Sequence, residues 1–127
     1  MSTPILLVDD DPSVRRSLGR LLRAHGYDVL DAERMSRALE ILATTLPALM
    51  VVDMVMPGSS TLEAVRQLKA NPSTATLPIV ALTASPPSAP QDRALFAEVV
   101  AKPTDARALL DVIAAILRNG NAGTSTA

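Results

Sequence analysis

The chain has 127 residues, 48% of them hydrophobic but only 2% aromatic, which suits one compact domain with an aliphatic core and leaves no room for a second folded domain. Twelve Lys and Arg against 13 Asp and Glu leave a net charge of −1, and aromatics are scarce, so direct nucleic-acid binding by a basic face or by stacking aromatics is disfavoured. The absence of Cys excludes disulfides and thiolate metal sites, and the absence of a leader pattern or of an apolar run of about 18 residues argues against membrane insertion and makes the cytoplasm the expected location.

Residues 5–8 are uniformly apolar, as expected of a strand covered on both faces, and run into Asp9, Asp10 and Asp11. Asp11 suits a helix N-cap and Pro12 a first helical position. Val14, Leu18, Leu21 and Leu22 form a stripe and Gly26 a stop, which predicts a helix over 12–25. His25, the one histidine, falls in its last turn, where the helix dipole favours a cation and a structural role is expected. A second strand is expected over 27–30, and Met35, Ala38, Leu39 and Leu42 mark a helix that ends before Pro47. The apolar run 48–52, with a third strand over 49–52, ends on Asp53. The turn formers Pro57, Gly58, Ser59 and Ser60 precede a helix through Leu62, Val65 and Leu68 that stops near Asn71 and Pro72.

Residues 79–82 read as the fourth strand. Pro86, Pro87 and Pro90 then remove backbone donors, so only a short helix, 91–96, is expected. A fifth strand over 99–101 leads to Thr104, the expected cap of a last helix with the stripe Leu109, Leu110, Val112, Ile113, Ile116 and Leu117. The domain is thus expected over 1–118, with 119–127 a disordered tail or the start of a linker.

Five strands alternating with helices predict a doubly wound α/β fold with a parallel sheet, whose ligand crevice lies at the carboxyl ends of the strands. Asp9 and Asp10, Asp53, Thr83 and Lys102 each follow or end a strand, so the fold would gather them there. Carboxylates brought together repel one another unless a cation holds them, which suits a hard ion such as Mg²⁺. A hydroxyl and an ammonium beside them could hold phosphoryl oxygens, and an aspartate can itself become an acyl phosphate. Taken singly, Asp53 is a strand-end cap, Thr83 a β-favouring residue and Lys102 a solvated lysine; the joint placement carries the chemistry. Asp11 is assigned to the helix cap, and Met50, Met54 and Met56 to core filling.

With these residues in view, the sequence resembles the receiver domains of bacterial two-component response regulators. The segments that carry the resemblance are Ile5-Leu6-Leu7-Val8-Asp9-Asp10-Asp11-Pro12, Val51-Val52-Asp53-Met54-Val55-Met56-Pro57-Gly58, Ile79-Val80-Ala81-Leu82-Thr83-Ala84 and Ala101-Lys102-Pro103. The resemblance implies a flavodoxin-like five-stranded sheet of order 2-1-3-4-5. It also implies Asp53 as phosphoacceptor and Mg²⁺ held by Asp9, Asp10, Asp53 and the backbone carbonyl of Val55. Thr83 becomes the switch hydroxyl and Lys102 the phosphate-pairing lysine before a cis proline, Pro103. The phosphodonor would be a histidine kinase or a histidine phosphotransfer protein, and the surface of the fourth helix, fifth strand and fifth helix would meet an unidentified output protein or a second copy in a homodimer.

Departures from the family pattern bear on output. Val99 stands where an aromatic switch residue is common, Pro86-Pro87 falls where a phosphate-responsive loop begins, and Ser60-Thr61 replaces a common Asp-Gly. Val55 and Ser85, two residues beyond Asp53 and Thr83, flank the expected phosphate, and an apolar Val55 side chain cannot orient an attacking water. These departures leave a second reading, an interaction module that works without phosphorylation. A phosphohydrolase with an aspartate nucleophile would need a second Asp where Val55 stands, and turnover on an external substrate is not expected.

Overall fold

In the computed structural model, described over residues 4–56 and 60–126 with side chains through 119, the elements are β1 (Pro4–Val8), α1 (Pro12–Ala24), β2 (Asp28–Ala32), α2 (Met35–Leu42), β3 (Leu49–Asp53), α3 (Thr61–Ala70), β4 (Ile79–Thr83), α4 (Pro90–Arg93), β5 (Glu98–Ala101) and α5 (Ala106–Thr126). The expected turn at Pro57, Gly58 and Ser59 lies outside the described residues. The strands form one sheet in the order β2-β1-β3-β4-β5, and every pairing is parallel.

Alternation along each strand divides the core. Ile5, Leu7, Leu49, Val51, Val80 and Leu82 pack with Leu22 of α1 and with Leu109 and Ile113 of α5. Their neighbours Leu6, Val8, Met50, Val52, Ile79 and Ala81 pack on the other face with Met35 and Ala38 of α2, Val65 and Leu68 of α3, and Phe96. Each such aliphatic side chain taken out of water contributes roughly 1.5–3 kcal/mol, so both faces of the three central strands are held by helices. This explains why those strands read as unbroken apolar runs rather than as alternating ones.

Several expected boundaries move, each for a local reason. The second strand covers Asp28–Ala32 rather than 27–30, because its pairing with β1 runs on to Val8 opposite Ala32. As an edge strand it tolerates the polar Asp28 and Asp31 that hide it from a search for apolar runs. The short fourth helix starts at Pro90 and ends at Arg93 instead of spanning 91–96. Proline lacks only a donor that the first helical position does not use, so Pro90 opens the turn it seemed to forbid. Phe96 lies past that helix, 5% exposed, in the core beneath α2 and α3.

Asp105, not Thr104, caps α5: its Oδ1 accepts the Arg107 N–H at 2.9 Å and its carbonyl accepts the Leu109 N–H at 3.0 Å. The helix then continues to Thr126, through the stretch expected to be a disordered tail, since no proline stands in its way and extending a helix is easier than starting one. Asp11 caps α1 as expected, accepting from Ser13 N at 2.8 Å, and Gly26 closes that helix at φ +91°. His25 is the C-cap residue, its Nδ1 2.9 Å from the Leu21 carbonyl oxygen.

Candidate functional site

The carboxyl ends of β1, β3, β4 and β5 bring the polar strand-end residues together. Val8 pairs with Val52 and Thr83 with Ala101, so the residues that follow emerge at one level of the sheet edge. The same alternation that splits the core decides which way each is turned. Asp53 shares the parity of Leu49 and Val51, and Asp9, carried one residue past β1, shares that of Ile5 and Leu7, on the face covered by α1 and α5. Thr83 has the opposite parity, that of Ile79 and Ala81.

Asp53 is 3% exposed, and both its oxygens are engaged. Oδ1 accepts the Val55 N–H at 3.0 Å, and Oδ2 lies 2.9 Å from Lys102 Nζ. Lys102 reaches it from a backbone tied to β4, where Lys102 N donates to the Thr83 carbonyl at 3.1 Å, and the Lys102–Pro103 peptide is cis. The Lys102 side chain is a third exposed, which leaves it room to shift toward a group entering the crevice.

Asp9 is 1% exposed and pinned at three of its four polar atoms. Its N–H donates to the Ala32 carbonyl at 3.1 Å, its carbonyl accepts from Arg15 Nη1 at 2.7 Å, and Oδ1 accepts the Asp11 N–H at 2.9 Å. Oδ2 is buried and has no partner. A buried carboxylate oxygen without a donor costs about 1–3 kcal/mol, more when charged. The Asp9 carboxyl is accordingly held above its ordinary 3.8, chiefly by burial and further by Asp53 and Asp10, with the Asp11 N–H and Lys102 pulling it back.

One carboxylate oxygen from each of Asp9, Asp10 and Asp53 falls within 4.8 Å of the others. Asp10 is exposed while its two companions are buried, so the cluster is open to solvent on one side. An orphaned buried oxygen beside two further hard oxygen donors fits a small divalent cation that keeps part of its water shell. Among the described residues no histidine belongs to the cluster, which fits Mg²⁺ better than a transition metal.

Thr83 is 1% exposed, and its hydroxyl is committed to its own loop. It donates to the Ser85 carbonyl at 3.1 Å and accepts the Ser85 N–H at 3.0 Å. The Val55 side chain, by contrast, is 69% exposed. It borders a cleft of about 390 Å³ shared with Met54, Leu62, Thr83, Pro86 and Pro87. Val99 is half-buried against the α2 and α3 face, so no ring occupies that position on β5. Across the same cleft, α4 is tied to α3 by the 2.8 Å pair of Arg66 with Asp92, and to β5 by the 2.8 Å pair of Arg93 with Glu98.

Sequence reasoning passed over Arg15, whose guanidinium bridges the Asp9 carbonyl and, at 3.7 Å, the Asp31 carboxylate on β2. The available signal was a basic residue one helical turn after the acidic strand end, a pattern also met on any solvated helix face.

Comparison with known proteins identifies the family. The model of the response regulator receiver domain matches residues 5–114. The phosphate regulon transcriptional regulatory protein PhoB of Pseudomonas aeruginosa is 32% identical over 97% of this chain, which spans only 55% of that regulator's length. Protein PilH of the same organism is 31% identical over 89% of the chain and 96% of its own length. Among solved structures, the signal receiver domain of a histidine kinase from Syntrophus aciditrophicus superposes with a TM-score of 0.81 at 28% identity, covering 93% of this chain and 92% of that one. A doubly wound sheet of order 2-1-3-4-5, an acidic crevice at its carboxyl edge and a family match along most of its length together make this chain a member of the response regulator receiver domain family of two-component systems.

Proposed function

We propose that the chain receives a phosphoryl group on Asp53 from the phosphohistidine of a histidine kinase or a histidine phosphotransfer protein, in a Mg²⁺-dependent reaction. It then acts as a single-domain regulator or a relay. The observation that carries this reading is Asp53 itself, a buried carboxylate beside Asp9 and Asp10 with one oxygen 2.9 Å from Lys102 Nζ. An Asp53 oxygen bonds to phosphorus as the phosphorus–nitrogen bond to the donor imidazole breaks. The imidazole keeps the bonding pair and takes a proton, and Asp53 becomes an acyl phosphate.

Asp9, Asp10, Asp53 and the Val55 carbonyl would hold the ion. Bound Mg²⁺ supplies positive charge to the phosphoryl oxygens and offsets repulsion among the carboxylates. Lys102 passes from the Asp53 carboxylate to a phosphoryl oxygen. The Thr83 hydroxyl exchanges its bonds with Ser85 for one to the phosphoryl group, which draws the loop bearing Pro86 and Pro87 inward and changes the surface offered to an output protein or a second copy. The work is signalling rather than turnover of an external substrate. The cytoplasm, where kinase and phosphodonor are available, is the location this reading requires, and among the described residues no helix is long and apolar enough to cross a membrane. Residues 1–118 as the receiver, followed by a tail or linker into which α5 runs, belong to the same reading.

The test is incubation with a small phosphodonor and Mg²⁺, read by intact mass. Wild type gains one phosphoryl group, while Asp53→Ala, or wild type with a chelator, gains none; equal gain by Asp53→Ala overturns the reading. One observation favours a second reading, an interaction module independent of phosphorylation: the Thr83 hydroxyl is spent on Ser85 and Val99 is no ring switch. That reading expects equal affinity of wild type and Asp53→Ala for a captured partner.

The lifetime of the acyl phosphate is set beside the same atoms. The Val55 side chain stands open to solvent yet has no polar atom to orient a water for attack on phosphorus. Val55→Asn adds an amide there and shortens the lifetime by about tenfold, less than the roughly 10²–10⁴-fold of a positioned general acid or base, because an amide orients water without accepting its proton. Phosphoprotein decay followed by mass after donor removal checks this, and an unchanged lifetime refutes it.

A further inference from the structure

Three of Asp9's four polar atoms are fixed by named partners, and the fourth, Oδ2, is buried without a partner on a carboxylate that belongs to the acidic cluster. Two of the three constraints are local or lie within the sheet: Asp11 N–H on Oδ1, and the Ala32 carbonyl on the Asp9 N–H. The third is a side chain from α1. Arg15 Nη1 donates to the Asp9 carbonyl at 2.7 Å, and Nε of the same guanidinium lies 3.7 Å from Asp31 Oδ2, with the arginine side chain only 18% exposed. A planar guanidinium hydrogen-bonded to the end of β1 and drawn toward β2 by the charge of Asp31 keeps its donor directed at the Asp9 carbonyl better than a flexible ammonium would.

We propose that Arg15 is a positioning residue for the cation site, holding the Asp9 backbone so that Oδ2 faces the space between Asp9, Asp10 and Asp53. The proposal rests on the reading that these three carboxylates hold Mg²⁺. Two effects of opposite sign meet in this guanidinium. Its charge, close to the cluster, opposes a second cation, whereas its hydrogen bond pre-orients a ligand. Because the guanidinium is bonded to a carbonyl and lies beside Asp31 rather than on the cluster oxygens, its charge is partly neutralised where it sits and orientation dominates. Partners that orient a metal ligand typically govern affinity by about 10–100-fold.

The experiment is calorimetric titration of chelator-stripped protein with Mg²⁺, well below the unfolding temperature. The variants are Arg15→Ala, Arg15→Lys and, as a control that loses the same charge from an exposed position on the same helix, Arg16→Ala. Arg15→Ala is expected to bind about tenfold more weakly than wild type, Arg15→Lys to fall between them because one donor still reaches the carbonyl, and Arg16→Ala to match wild type. Equal or tighter binding by Arg15→Ala, or an equal loss in Arg16→Ala, overturns the proposal. If Arg15→Ala does not fold, Arg15→Lys decides, and wild-type affinity in that variant overturns it. Wild type that takes up no Mg²⁺ overturns the cation site and this proposal together, whereas wild type that binds while Arg15→Ala binds equally overturns this one alone.

Discussion

Lys102→Ala is expected to slow the proposed phosphoryl uptake by Asp53 by about a hundredfold, the loss typical of removing one preorganised donor from a site where charge develops during transfer. The ammonium lies 2.9 Å from Asp53 Oδ2, so it is already where an oxygen of an incoming phosphoryl group would gather charge. Its removal has a second consequence of opposite sign. With the ammonium gone, Asp9, Asp10 and Asp53 lose the cation paired with them, and a divalent ion meets less competition. Mg²⁺ therefore binds Lys102→Ala more tightly than wild type even as uptake falls. In chelator the variant is less stable, because removing one partner of a mostly buried pair leaves the other charge uncompensated. Uptake followed by intact mass, together with calorimetric Mg²⁺ titration, checks the split. Loss of both uptake and Mg²⁺ affinity would instead mean that Lys102 builds the site rather than serving the transfer.

Asp9→Asn makes the metal-free protein more stable near neutral pH and removes most of its response to Mg²⁺. Burial, and the charges of Asp53 and Asp10, keep the Asp9 carboxyl above 3.8 in the folded chain. The folded state therefore binds this proton more tightly than the unfolded chain does. Its contribution to stability is fully present below the unfolded value of 3.8, and is lost as the pH rises through the raised folded value. Asparagine suffers no such loss. It keeps the Oδ1 bond to Asp11 N–H and puts an amide donor where Oδ2 had no partner.

The gain in chelator is about 1–3 kcal/mol at pH 7, the cost of an unsatisfied buried group, and raises Tm by several degrees. Against wild type it shrinks toward zero as the pH falls below 3.8, where Asp9 is protonated in both the folded and the unfolded chain. Mg²⁺ reverses the order. Wild type is stabilised by mass action, while the variant, with one anionic ligand fewer, binds far more weakly and gains little. Thermal melts at several pH values, with chelator and with Mg²⁺, test both parts; a variant no more stable than wild type in chelator at pH 7 would sink the account.

Much of this architecture is legible before any coordinates. β1, β3 and β4 are buried on both faces and therefore read as unbroken apolar runs, so their ends, and with them Asp9, Asp53 and Thr83, can be located from composition alone. β2 was harder, because an edge strand carries Asp28 and Asp31, and its limits come from pairing with β1 rather than from its own pattern. The start of α4 at Pro90 and the capping of α5 by Asp105 differ from the expected positions for one reason. Both depend on a single backbone position, and proline or a small polar residue is acceptable at two neighbouring ones.

Local pattern by itself determined the buried strands β1, β3 and β4, most of the helices, the Asp11 cap and the placing of acidic, hydroxyl and ammonium groups at strand ends, because hydrophobic period and turn chemistry act over a few residues. Tertiary structure alone decided how those groups face one another. It paired Lys102 with Asp53, turned the Thr83 hydroxyl onto Ser85, left Asp9 Oδ2 without a partner and set Arg15 across the ends of β1 and β2. Those relations depend on side-chain parity and helix placement between segments far apart in the chain, and no local pattern carries that geometry.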